Sequence, residues 1–266
     1  YPTAARVTMA APKYTVQVTF VEHYTESYFR MRVTRPEGLR FISGQFIMMG
    51  LQTEDKNIMR AYSIASPYWD EELEFYSIII QDGALTSRLQ HVQVGDDIIL
   101  SAKAVGTLTL RGLLPGGKRL FMLSTGTGFA PFASLLRDDD LYDSFDEVYM
   151  VQTCRYVKDL TYGKDRVSEA KTCPLVGEQA CEKLKYYGSV TREPHEYEGR
   201  ITHLIDNGKF FTDLGIPSFN VETDRIMICG SLAMLHDTQK LLDVLGFDRG
   251  SNTRPGQYVW ETAFSG

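Results

Sequence analysis

Cysteine is scarce and unpatterned in this chain of 266 residues. Cys154, Cys173, Cys181 and Cys229 form no C-x-x-C pair and match no zinc or iron–sulfur ligand spacing. With no signal peptide legible, free thiols in a reducing cytoplasm are expected. His23, His91, His195, His203 and His236 have no metal-like spacing and no neighbouring carboxylate pattern, so no metal site is expected. Excess positive charge is missing too: 28 Lys and Arg stand against 34 Asp and Glu, a net charge of -6. That balance counts against a general nucleic-acid binder and leaves room only for a local basic pocket. No apolar run approaches the ~20 residues of a membrane span, since Phe46–Leu51 and Ile78–Ile80 are strand-sized, so the chain is expected to be soluble. There is no G-x-S-x-G elbow and no H-E-x-x-H helix, which leaves hydrolase chemistry unsupported. Internal repeats and low-complexity segments are absent as well.

What is present is the composition of a globular protein, 43% hydrophobic and 23% charged, long enough for two domains. From Tyr14 to Leu110 the pattern is of short strands: Tyr14–Glu22, Tyr28–Arg35, Phe46–Leu51, Arg60–Ala65, Leu73–Ile80, Ile98–Ser101 and Thr107–Leu110. Such a series implies a closed or nearly closed antiparallel barrel, interrupted by one helix at Ser87–Val92. Leu113-Leu114-Pro115-Gly116-Gly117 reads as a linker. Beyond it strands alternate with helices, which implies right-handed crossovers and a mostly parallel, doubly wound α/β sheet. The expected domains are therefore 14–112 and 118–266. Met9-Ala10-Ala11 would make a natural start, so residues 1–8 read as remnants of an expression vector, and 1–13 as disordered or vector-derived.

Four stretches carry chemistry. In Arg60-Ala61-Tyr62-Ser63 the strand period puts Arg60 and Tyr62 on one face, suiting a ligand with a phosphate beside a flat ring, and Ser63 adds a hydroxyl. In Asp82-Gly83-Ala84-Leu85-Thr86-Ser87, Gly83 frees the backbone and Thr86 or Ser87 can cap a helix whose amides attract phosphate. An ordinary surface strand and a capped surface helix are the plain alternatives for these two. Thr125-Gly126-Thr127-Gly128 follows a strand and opens a helix, as a pyrophosphate loop does, although Pro131 stands where the usual fingerprint continues. The next strand ends in Arg155 rather than in the carboxylate that binds a ribose 2′-hydroxyl, and Thr191-Arg192 and Arg200 follow the strand after it. Three guanidinium groups suit a 2′-phosphate, unless they are merely solvated. Cys229-Gly230-Ser231 sits at the carboxyl end of a strand, the edge where α/β proteins bind ligands.

Taken in order, R-A-Y-S, D-G-x-L-T-S, G-T-G-x-x-P, C-G-S and the closing E-x-A-F make the chain resemble the ferredoxin–NADP reductase family. The tail Ala263-Phe264-Ser265-Gly266 is similar to the bacterial subclass with a short C-terminal extension, not to plant-type members that end in Tyr. The resemblance implies non-covalent FAD held by Arg60, Ala61, Tyr62, Ser63, Gly83, Leu85, Thr86 and Ser87, with Ala263 facing the flavin and Phe264 on its adenine. It implies NADP(H) at Thr125, Gly126, Thr127, Gly128, Arg155, Thr191, Arg192, Arg200, Cys229 and Gly230. Ser63, Cys229 and Glu261 would then attend the hydride exchange between nicotinamide and flavin. Electrons would pass singly to a separate ferredoxin or flavodoxin, docked through a local basic patch. A cytoplasmic monomer that binds neither nucleic acid nor membrane is expected. Two alternatives stay open: an NADH-dependent flavin or oxygenase reductase, and an FAD relay subunit of a larger complex.

Overall fold

The computed structural model describes residues 12–263. The expectations for residues 1–11 and for Phe264 lie outside the described residues. Six strands form the first sheet: β1 (Lys13–His23), β2 (Tyr28–Thr34), β3 (Phe46–Gln52), β4 (Asn57–Ser63), β5 (Glu72–Ile78) and β6 (Asp97–Ser101). Their spatial order is β4-β3-β6-β1-β2-β5, with every neighbouring pair antiparallel. The sheet curls until its two edges meet, where Ala65 N donates to Glu74 O at 2.8 Å. Strict alternation builds the interior: Phe29, Met31 and Val33 of β2 are at most 1% exposed, and Leu73 and Phe75 of β5 join them. Each such side chain withdrawn from water contributes about 2 kcal/mol.

The strand expected at Thr107–Leu110 is not one. Gly106 has φ +132°, which turns the chain, and Thr109 N closes back on Thr107 O at 2.9 Å. Only Val105 bridges Phe46, and a 3-10 turn follows at Leu110–Gly112. The helix expected at Ser87–Val92 is a single turn, α1 (Thr86–Leu89), whose Leu85 and Leu89 plug the barrel end.

The second sheet is β7 (Arg119–Thr125), β8 (Glu147–Cys154), β9 (Leu184–Val190), β10 (Asp224–Gly230) and β11 (Tyr258–Thr262), all parallel, in the order β11-β10-β7-β8-β9. Central strands such as β10, buried along their whole length, are covered by helices on both faces. The helices are α2 (Ala130–Leu136), α3 (Asp139–Ser144), α4 (Thr161–Thr172), α5 (Gly177–Lys183), α6 (Ile201–Asp206), α7 (Lys209–Leu214) and α8 (Leu232–Val244). Three of these, α3, α6 and α7, have six residues each, too few for a helical period to register in the sequence. The connection between the sheets is tied down. Arg225, 5% exposed, donates to Leu114 O and Pro115 O, and Leu114 N donates to Gly256 O. One apolar cluster is shared by both halves, joining Ala65, Tyr76 and Leu108 to Phe129 and Tyr162.

Candidate active site

The order of the parallel sheet reverses between β7 and β10, so the loops after these strands lie side by side at the edge where such folds bind ligands. Glycine is required on both. Gly126 has φ +54°, and a Cβ on Gly128 would stand 2.2 Å from Cys229 O. A Cβ on Gly230 would stand 2.4 Å from Thr125 Oγ1, while Ser231 N donates to that hydroxyl at 3.4 Å. Gly128 thus lets the G-T-G and C-G-S loops touch, a reason the sequence did not disclose.

In front of this junction opens a cleft of about 820 Å³. Thr125, Gly126, Thr127, Arg155, Thr191, Arg192, Arg200 and Ala263 line it, whereas Gly128, Cys229 and Gly230 stand behind the lining. The three arginines converge because their loops are stitched together. Arg192 N donates to Arg155 O at 3.0 Å, Thr191 N donates to Cys154 O at 3.1 Å, and Arg200 opens α6. A fourth cation, Lys158, joins them 5.8 Å above the ring of Tyr156. Its place in the same loop as Arg155 was the available signal. Asp159 and Asp237 bring negative charge to the same wall.

Apart from Ala263, the described residues expected around the flavin do not line this cleft; they lie on the barrel. Arg60 is exposed and donates to Met59 O at 2.8 Å. Tyr62 shares its strand face, but its register partner is the buried Ile47. Tyr62, 7% exposed, accordingly packs its ring edge-on to Phe75 and holds its hydroxyl 2.9 Å from Ser77 Oγ. Burial pushes that phenol up. Ser63 is 8% exposed and Ala61 half-buried. Thr86 does not cap α1, which starts after Leu85 with no side-chain cap. Its hydroxyl instead spans Ile80, accepting from the amide at 3.1 Å and donating to the carbonyl at 3.0 Å. Ser87 N bonds Gly83 O at 3.2 Å, so this loop is held from within.

Between the two sets of residues stand Cys229, Glu261 and Ala263. Cys229 and Glu261 are register partners on adjacent strands, and Ala263 N donates to Gly230 O at 2.8 Å. Glu261 Oε2 is buried without a hydrogen-bond partner. Burial pushes the Glu261 carboxyl up to about 7, a backbone hydrogen bond from Thr107 offsetting only part of the cost. Burial, and then the Glu261 charge, push the Cys229 thiol well above its usual range, which favours the neutral, compact form of the group.

Both halves have relatives. The family model for the oxidoreductase FAD-binding domain matches residues 16–107, and that for the oxidoreductase NAD-binding domain matches residues 122–240. A flavodoxin/ferredoxin–NADP reductase of Rhodobacter capsulatus is 55% identical over 94% of this chain and 92% of its own length. The chain belongs to the ferredoxin–NADP reductase family. A ferredoxin–NADP reductase of Pseudomonas aeruginosa is 46% identical over 94% of this chain and 97% of its own. Among solved structures, a ferredoxin NADP+ reductase of Neisseria gonorrhoeae with bound FAD and NADP superposes with TM-score 0.86 at 30% identity, covering 96% of this chain and 100% of that one. A flavohemoglobin of Malassezia yamatoensis, 18% identical with TM-score 0.70, covers 94% of this chain and 60% of that one and shares the fold. The barrel followed by a parallel-sheet domain, expected from the sequence, is the two-domain plan of the reductase family.

Proposed function

We propose that the chain is an FAD-containing ferredoxin/flavodoxin–NADP reductase, exchanging a hydride with NADP(H) and single electrons with ferredoxin or flavodoxin. The observation that carries the choice of NADP(H) is the convergence of Arg155, Arg192 and Arg200 in one cleft beside the glycine-lined junction. The cleft fits a phosphorylated dinucleotide: exposed guanidinium forks at one side, and a turn of backbone that leaves no room for Cβ at the other.

When bound, FAD supplies the exchange between two-electron and one-electron chemistry that side chains lack. Arg60, Ala61, Tyr62, Ser63 and the loop Gly83, Leu85, Thr86, Ser87 would hold it, with Ala263 at the domain seam. The unpartnered, buried Glu261 oxygen supports a polar ligand at that seam. Glu261, poised near neutrality, would exchange a proton there, and Cys229 would back the loops against which a nicotinamide binds. Among the described residues no helix is long and apolar enough to cross a membrane. A cytoplasmic monomer is part of the proposal. We assign the tail to the bacterial Ala-Phe subclass and the domains to residues 14–112 and 118–266, with carrier docking through a basic patch.

Absorbance of the purified chain and parallel titration with NADPH and NADH test this reading. Two flavin bands in the visible are expected. Arg155→Ala should weaken NADPH binding about tenfold to a hundredfold, the worth of a charge-assisted hydrogen-bond pair, and leave NADH within about twofold. Equal losses for both nucleotides would remove the 2′-phosphate assignment.

A further inference from the structure

The outer face of the β2–β5 pair carries a buried carboxylate outside the chemistry described above. Glu74 is 0% exposed. Arg30 Nη1 at 3.3 Å and Arg32 Nη1 at 3.2 Å reach it from the barrel. Arg166 Nη1 at 3.3 Å and the Tyr162 hydroxyl at 2.7 Å reach it from α4 of the second domain. Further out, Arg32 and Arg137 share Asp70, while Arg137 and Arg166 share Glu169. Two of these pairs, Glu74 with Arg166 and Asp70 with Arg137, cross between the domains.

The backbone of the same residue holds the segment that follows R-A-Y-S. Glu74 O accepts from Ala65 N, and Glu74 N donates to Ser66 Oγ at 3.0 Å. Ser66 O in turn accepts from Ser134 Oγ of α2 at 2.7 Å. Both α2 and α4 begin a few residues beyond cleft loops, α2 after Gly126–Phe129 and α4 after Arg155. Tyr162 also stacks on Tyr76 at 3.9 Å, and Tyr76 on Tyr28 at 5.6 Å, and Tyr28 lines the cleft. One rigid path thus runs from the R-A-Y-S strand through Glu74 to the wall of the dinucleotide cleft.

We infer that Glu74 is a positioning residue, locking the angle between barrel and dinucleotide domain and thereby the approach of the two rings. The inference rests on the proposed function for its chemistry and on the hydrogen bonds above for its mechanics. A misplacement of about 1 Å between reacting groups costs up to about a hundredfold in rate, so loosening this anchor falls on the transfer step and not on either binding site.

The test uses FAD-loaded Glu74→Gln, which removes the charge, and the milder Tyr162→Phe, which removes one donor. Flavin content, NADPH dissociation constant and the single-turnover rate of flavin reduction are measured for each. The expected result is full flavin content, an NADPH dissociation constant within about twofold of the parent, and a reduction rate about tenfold lower. Reduction at the parental rate in both variants overturns the inference. So does loss of flavin, affinity and rate together in Tyr162→Phe, the mark of a merely structural role. Calorimetry of the flavin-free chain separates this inference from the functional reading. A parent that takes up no FAD removes that reading, and the anchor is then judged by unfolding alone. Two resolved transitions in Glu74→Gln against one in the parent uphold it, and one transition in both overturns it.

Discussion

Replacing Glu261 by Gln makes the fold's pH dependence a measure of how dry the domain seam is. The carboxyl goes from 4.5 in the unfolded chain to about 7 in the folded one, because burial opposes its charge and Oε2 has no partner. At about 1.4 kcal/mol per unit, the difference corresponds to about 3 kcal/mol. The sign follows from the direction of the shift. Folding tightens the hold on the proton, so the stabilisation is complete below about pH 4.5 and is lost as pH rises through about 7. Glu261→Gln mimics the protonated form at every pH. Urea unfolding of flavin-free protein should therefore find parent and variant alike near pH 4.5, and the variant more stable by up to about 3 kcal/mol at pH 8. Every other titrating group is common to both proteins and cancels in the difference. A gap that is constant with pH, or a variant less stable than the parent at pH 8, would refute the reasoning.

Two further substitutions check the packing that builds the site. Gly128→Ala puts a methyl 2.2 Å from Cys229 O; it should cost about 1–3 kcal/mol in urea unfolding and weaken NADPH in titration, because the two ligand loops must part. Arg119→Met strips Asp224, 0% exposed, of guanidinium donors at 2.7 and 2.6 Å, leaving a buried carboxylate with the Asn220 amide and the Thr223 hydroxyl but without its Arg119 cation. A loss of about 3–5 kcal/mol at pH 7 is expected in urea unfolding, and an unchanged midpoint would refute the pairing.

Much of the site was legible because its signals are local. A glycine pair after an apolar run, an arginine where a carboxylate usually ends a strand, and a strand-period Arg-x-Tyr each report on a few consecutive residues. Lys158 escaped because a lone loop lysine has no periodic signature, and the helix expected at Ser87–Val92 was drawn too long because a single turn has none either. Thr86 misled for a related reason. A hydroxyl near a helix start suits a cap, yet here the loop at Ile80 claims it first. Tyr62 read as a surface ring beside Arg60, and the tertiary contacts with Phe75 and Ser77 bury it.

Apart from Thr107–Leu110, sequence alone determined which strands exist, where the period changes from barrel to parallel sheet, and which residue types flank each strand end, since these depend on alternation and backbone freedom within a few residues. Only tertiary structure decided that Gly128 serves the contact with Cys229, that Glu261 is desolvated, and that Glu74 is gripped from both domains. Glu74 to Arg166 spans both domains, and no pattern of period two or 3.6 links residues that far apart. Burial and charge pairing are properties of what the fold brings together.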